Sequence, residues 1–247
     1  MRKFADRPDL PEKTVLKLLE KRTEIVGIVD LEARKTRARE IFDASLGTAW
    51  FGAVKEKLQG LCGAGQLCMY CSSTEPSQVE HYKPLALFPE LAMEYVNYLW
   101  SCDICNRTYK GSKFPPLNCA GGEILNPLDD NVWDFFYIDH TFGRLMKRID
   151  PNTRAYFSRA ESTCTYVGVD REVVQLKRQA RYKAIVREVA AIISKYRFGE
   201  LDKEAAEAAT ESLRLEPFQA DVADYFLNGP GKIKAPFDEF FAIIEAP

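Results

Sequence analysis

Long apolar runs, excess charge and histidine are all scarce in this chain. No stretch approaches the roughly 18 consecutive apolar residues of a spanning helix, so neither a membrane span nor a membrane partner is expected. The opening residues Met1-Arg2-Lys3-Phe4-Ala5-Asp6 lack the apolar core of a signal peptide, and a cytoplasmic location follows as the expectation. A net charge of -2 over 247 residues argues against strong nucleic-acid binding by bulk charge alone. Internal repeats and low-complexity tracts are lacking too. With 46% hydrophobic and 28% charged residues the composition is that of an ordinary globular protein, which excludes a disordered or fibrous chain. Only two histidines, His81 and His140, are available for imidazole chemistry.

The charge and the sulfur that are present are unevenly placed. Eleven acidic and four basic residues from Phe198 to Pro247 leave that stretch at -7 and the rest of the chain at +5. A moderately basic body could hold a phosphate site while the acidic part serves another surface, or the acidic part is a solvated helical face. Of seven cysteines, four stand in Cys68-Met69-Tyr70-Cys71 and Cys102-Asp103-Ile104-Cys105. In a cytosolic chain such pairs favour a metal over disulfides. Either pair alone also fits a thioredoxin-like redox motif, but two pairs flanking one motif fit a closed tetrahedral Cys₄ zinc site. Cys62, Cys119 and Cys164 read as buried or incidental thiols, Cys62 being the nearest substitute ligand.

The local patterns give an α+β chain with three stretches: a helical region at 1–60, a zinc-stapled module at 61–130, and a hairpin plus mostly helical region at 131–247. Helices are expected over Lys13 to Glu20, Leu31 to Leu46 and Trp50 to Leu61. Gly63-Ala64-Gly65 turns the chain into the first cysteine pair. Strands follow at Ser77 to Tyr82 and Tyr95 to Ser101, then one or two helical turns from Asp103 to Lys110, a β-β-α order. Pro115-Pro116 and Gly121-Gly122 mark the exit, and Trp133 to Ile138 and Arg144 to Ile149 form a hairpin whose turn holds His140. A long amphipathic helix spans Asp170 to Tyr196, with Val173, Leu176, Ala180, Ala184, Val189 and Ile193 as its apolar stripe. Its polar face carries Arg171, Lys177, Arg178 and Arg181, either as a solvated stripe or as a phosphate-contacting surface. Two or three helices complete the chain, broken at Pro217, Asn228-Gly229-Pro230-Gly231 and Pro236.

Between the cysteine pairs lies Glu80-His81-Tyr82-Lys83-Pro84, and Asn106 directly follows the last cysteine. Hydrolysis of a phosphodiester needs an activated water and neutralisation of phosphate and leaving-group charge. His81 suits the first task as a general base. Glu80 and Asn106 offer oxygens to a hard divalent ion, Mg²⁺ or Mn²⁺, for the second. Asn97 could pin the loop carrying His81 through backbone hydrogen bonds. Each has a plainer reading: Glu80 as a surface carboxylate, Asn106 as a helix cap, Lys110 as a solvated lysine rather than a phosphate contact. The aromatic residues around Trp50, Trp100 and Trp133 read as core.

The order Cys-x₂-Cys, Glu-His-x₂-Pro, Asn97, Cys-x₂-Cys-Asn resembles the HNH (ββα-metal) endonucleases, in the branch with a Cys₄ zinc. The resemblance implies a zinc-stapled ββα-metal module embedded between helical regions. On it, His81 matches the general base, Asn97 the central asparagine, and Glu80 and Asn106 the catalytic metal ligands, while Cys68, Cys71, Cys102 and Cys105 hold structural zinc. A looser similarity covers Ile124-Leu125-Asn126-Pro127-Leu128-Asp129-Asp130, Phe142-Gly143-Arg144 and the helix after Val169. It is to HNH subunits of Septu-type and retron-associated anti-phage systems, which work beside an ATPase. The resemblance therefore implies DNA as substrate, defence as the setting and an ATPase subunit as partner. The alternative from the residues alone is a non-catalytic zinc-ribbon module that binds nucleic acid or protein.

Overall fold

Start signals in the sequence set the three N-terminal helices. The computed structural model describes the chain apart from residues 3, 5, 64, 76, 116–122, 216–218, 233–236 and 246–247. Helix α1 (Glu12–Val26) begins directly after Pro11. Asp30 caps α2 (Leu31–Ser45), its carboxylate accepting from the Ala33 amide at 2.8 Å. Thr48 caps α3 (Ala49–Leu61) in the same way, with Oγ1 accepting from the Phe51 amide at 3.4 Å. Their buried faces, Leu18 and Ile25, Ile41 and Phe42, Phe51, Val54 and Leu58, recur at helical spacing and join one core.

That helical layer backs a two-stranded sheet. Strand β1 (Ser77–His81) pairs antiparallel with β2 (Tyr98–Cys102), placing Val79 opposite Trp100, Glu80 opposite Leu99 and His81 opposite Tyr98. Every residue of β2 is buried, because α3 covers one side and the chain after the strand covers the other. A single π-helical turn, Ile104–Lys110, follows β2 and packs back against it. Asn97 belongs to a 3₁₀ turn, Tyr95–Asn97, and not to the second strand as expected.

The expected hairpin is present as β3 (Phe136–Ile138) and β4 (Leu145–Lys147). Its turn needs Gly143, at φ +75°, where a Cβ would lie 2.3 Å from the Tyr182 Cβ. His140 is exposed in that turn, as the sequence suggested. Helices α4 (Ser158–Val167), α5 (Glu172–Arg197), α6 (Lys203–Leu215), α7 (Ala220–Ala223) and α8 (Asp238–Ile244) form the C-terminal part. Together with the two small sheets they make the chain α+β. The expected turn residue Ala64, the exit marks Pro116, Gly121 and Gly122, the thiol Cys119 and the breaks Pro217 and Pro236 lie outside the described residues. Among the described residues no helix is long and apolar enough to cross a membrane.

Helix α5 corrects the sequence reading of its own faces. Val173 and Leu176, expected in the apolar stripe, are 52% and 55% exposed, whereas Arg178 and Arg181, expected on the polar face, are buried. The reason is tertiary pairing. Arg178 donates from Nε to Asp221 Oδ2 at 2.8 Å and from Nη1 to the Val169 carbonyl at 2.7 Å. Arg181 donates to the Leu213 carbonyl at 2.7 Å. A charge so partnered can be buried, and periodicity alone then assigns the wrong face.

Asp221 also accepts from the Met1 amino group at 2.7 Å, so one carboxylate is shared by the buried Arg178 guanidinium and the buried chain terminus. Asp221→Ala is expected to cost about 3–5 kcal/mol, because it strands the Arg178 charge in the core. Burial alone would raise the Asp221 pKa, but Arg178 and the Met1 ammonium hold it below the usual carboxylate value. A depressed folded-state pKa stabilises above the unfolded carboxylate value and loses that contribution as pH falls through its own. Urea midpoints should therefore separate wild type from Asp221→Ala at neutral pH and converge in acid. A separation unchanged by acid would contradict this assignment.

Candidate metal centre and catalytic cleft

Two turns bring four sulfurs together. The first holds Cys68 and Cys71, closed by the Ser72 amide donating to the Cys68 carbonyl at 2.9 Å. The Met69 amide ties it to the Trp100 carbonyl of β2 at 2.9 Å. Cys102 ends β2, and Cys105 sits in the π-helical turn. All four are buried, with their Sγ atoms within 4.8 Å of one another, and Cys71 and Cys102 are 3.8 Å apart. A tetrahedron with zinc–sulfur bonds of about 2.3 Å has edges of about 3.8 Å. The cluster therefore fits one zinc ion.

The four thiols shift one another's acidity in opposite directions, Cys71 and Cys102 down and Cys68 and Cys105 up. Hydrogen bonds from Cys102, Cys105 and Cys68 hold Cys71 well below the ordinary thiol value. Burial pushes Cys68 well up, and its neighbouring thiols push Cys105 up. Four thiols this close cannot all ionise unless a cation shares their charge. Cys62, the substitute ligand considered from sequence, is buried apart from the cluster, and burial pushes it up to about 12.

Beside this centre runs a cleft of about 680 Å³. One wall is β1 and the π-helical turn, with Glu80, His81, Asn106 and Lys110; the other is α2 and α3, with Arg39, Asp43 and Lys55. The His81 ring is held between Phe42 and Tyr98, with ring centroids 4.3 and 5.3 Å away. Its Nε2 lies 2.9 Å from the Ala92 carbonyl. A carbonyl only accepts, so Nε2 carries the proton and Nδ1 is left as the basic atom. Burial lowers the imidazole pKa to about 4, against the Ala92 carbonyl and with help from Lys110 and Arg39. His81 is consequently neutral at physiological pH and a weaker base than a free histidine.

Asn97 fills the pinning role expected of it, although from a 3₁₀ turn. Its Oδ1 accepts from the Lys83 amide at 2.8 Å, and its Nδ2 donates to the Lys83 and Leu91 carbonyls at 3.1 and 3.2 Å. The segment after His81 is thereby tied to the segment before β2. Asn106 stands inside the π-helical turn, half-buried and lining the cleft, so it is not a helix cap.

Glu80 is not a surface carboxylate: it is 1% exposed, and burial raises its pKa against the opposing pull of Lys110. Lys110, also 1% exposed, approaches Glu80 Oε1 at 2.5 Å and donates to the His81 carbonyl at 2.6 Å. It is neither solvated nor free for a phosphate in this arrangement. Glu80 Oε2 is buried without a hydrogen-bond partner among the described residues, an oxygen still short of a donor or a cation. Glu80 and Asn106 both line the cleft, with Lys110 paired to the carboxylate.

Sequence reasoning missed the opposite wall. Arg39 and Lys55 line the cleft from helices well upstream of His81, and no local motif marks them. It also missed the Lys110–Glu80 pair, although the four-residue step from Asn106 to Lys110 is one that a helical turn places on one side. No family model and no curated protein matches the chain.

Proposed function

We propose that this chain is a metal-dependent endonuclease of the HNH type that hydrolyses DNA phosphodiester bonds. The observation that carries the proposal is one juxtaposition. A neutral histidine with its tautomer fixed by a backbone carbonyl shares a cleft with a buried carboxylate, Glu80, and an amide, Asn106. In this reading His81 Nδ1 accepts the proton of the attacking water. Asn97 keeps the histidine loop in place, and the wall bearing Arg39 and Lys55 meets the phosphate backbone. Mg²⁺ or Mn²⁺ held by Glu80 and Asn106 supplies charge neutralisation at the phosphate and at the departing 3′ oxygen. Zinc in the cysteine cluster is the structural ion, keeping both ends of the active segment together. The resemblance to anti-phage HNH subunits and the acidic C-terminal stretch support a role in defence beside an ATPase. The test is nicking of supercoiled plasmid with Mg²⁺ or Mn²⁺, alone and with the protein product of the neighbouring gene. Absence of cutting in both cases would overturn the proposal.

A second reading has its own support. Lys110 covers Glu80, and His81 is a weak base, which suits a zinc module that binds without cutting. Lys110→Met separates the two. If Glu80 is a metal ligand that Lys110 competes for, Mn²⁺ should raise the melting temperature of Lys110→Met more than that of wild type. In the binding-module reading Mn²⁺ shifts neither protein.

A further inference from the structure

Arg171, the residue before α5, points into the cysteine cluster from outside the active segment. Its Nη1 lies 3.2 Å from Cys105 Sγ and its Nη2 lies 3.5 Å from Cys71 Sγ. The guanidinium thus reaches one sulfur from each CxxC pair. It is held there by donation from Nη1 to the Gly168 carbonyl at 2.9 Å and by the Tyr109 ring, whose centroid is 5.7 Å away. Gly168 turns at φ +65°, where a Cβ would fall 2.3 Å from the Tyr109 ring, so the α4–α5 connection fits closely onto the π-helical turn.

We propose that Arg171 is a charge-compensating outer partner of the zinc centre, setting how tightly the metal is held and how inert two of its thiolates are. Four thiolates around Zn²⁺ leave two negative charges in a buried site, a costly state unless hydrogen bonds and a cation balance it. Ser73 Oγ, 3.1 Å from Cys71 Sγ, provides one neutral contact, and Arg171 provides the one cation found at the sulfurs among the described residues. Donation to a thiolate draws on the lone pairs that make it nucleophilic. The effect should therefore be strongest at Cys71 and Cys105 and weak at Cys68 and Cys102. It also links metal retention to docking of the C-terminal helices, since the arginine stands at the entry to α5 and the sulfurs do not. This inference rests on zinc occupying the cysteine cluster and is independent of any nuclease activity.

The test uses the full-length zinc-loaded chain. Zinc is withdrawn by the chromophoric chelator 4-(2-pyridylazo)resorcinol, and alkylation by iodoacetamide is followed at each cysteine by mass spectrometry. Arg171→Met should hold zinc about 10–100-fold more weakly, with faster alkylation confined to Cys71 and Cys105. Arg171→Lys should fall between, because it keeps the positive charge but loses the planar fork that spreads over Cys71 and Cys105. Unchanged zinc retention, or acceleration spread evenly over all four cysteines, overturns the role of Arg171. Should Arg171→Met fail to fold, the lysine variant decides by the same readouts. Wild-type chain without stoichiometric zinc would instead refute occupation of the cluster, a separate failure.

Discussion

Cys105→Ser, or removal of zinc by a strong chelator, is expected to unfold the segment between Cys68 and Lys110. Structural zinc in small cysteine sites contributes on the order of 10 kcal/mol of binding free energy, which in such sites is folding free energy. The segment depends on it because its own regular structure is slight. Its strands have five residues each, and an isolated two-stranded sheet is marginal in water. Loss of the metal would also leave four buried thiols competing for protons beside the Arg171 cation. Trp100, buried in β2 and bonded through Nε1 to the Gln66 carbonyl at 3.2 Å, is the natural reporter. Its emission should shift to the red on chelation and recover on readdition of zinc. Cys62→Ser, at a buried thiol outside the cluster, should leave zinc binding intact. A chelated protein with unchanged emission and melting would show that packing alone maintains the hairpin.

His81→Ala is expected to lower cleavage by about 10²–10⁴-fold, the usual contribution of a positioned general base. The substitution should spare the fold comparatively well. His81 makes one side-chain hydrogen bond, to the Ala92 carbonyl, and that carbonyl keeps the Tyr98 hydroxyl at 2.6 Å. Zinc content and melting temperature should therefore stay close to wild type while plasmid nicking disappears. Asn97→Ala makes an informative contrast, because it leaves the part-buried Lys83 amide and carbonyl without their partner and takes one of two donors from the Leu91 carbonyl. It should lose stability by about 1–3 kcal/mol together with activity. Cutting by His81→Ala at the wild-type rate would remove the proposed base and favour the binding-module reading.

Spacing made part of this molecule legible. The cysteine pairs, the Glu-His step and Asn106 announce themselves because metal chemistry fixes residue type and separation at short range. Helix extents were plain too, Leu31 to Leu46 and Trp50 to Leu61 lying close to the helices observed, while the caps Asp30 and Thr48 went unread. What stayed hidden depends on partners distant in sequence. Arg178 and Arg181 look solvent-facing until Asp221 and the Leu213 carbonyl arrive from later helices. Lys110 looks free until it is folded against Glu80, and Arg39 has no reason to be noticed until α2 is laid across the cleft. Arg171 was read as one more basic residue of a helix face, whereas the fold aims it at sulfur.

The bond from His81 to Ala92 has an implication for how this site can drift. Its acceptor is a main-chain oxygen, so no replacement of the Ala92 side chain removes it. A histidine steered by an aspartate loses its orientation through a single codon change. Here the orientation is written into the path of the loop, and it is erased by whatever reroutes that path: an insertion, a deletion, a proline or loss of the Asn97 side chain that ties it down. The proton on Nε2 is thus inherited with the shape of the backbone, and the Ala92 side chain itself is free to vary.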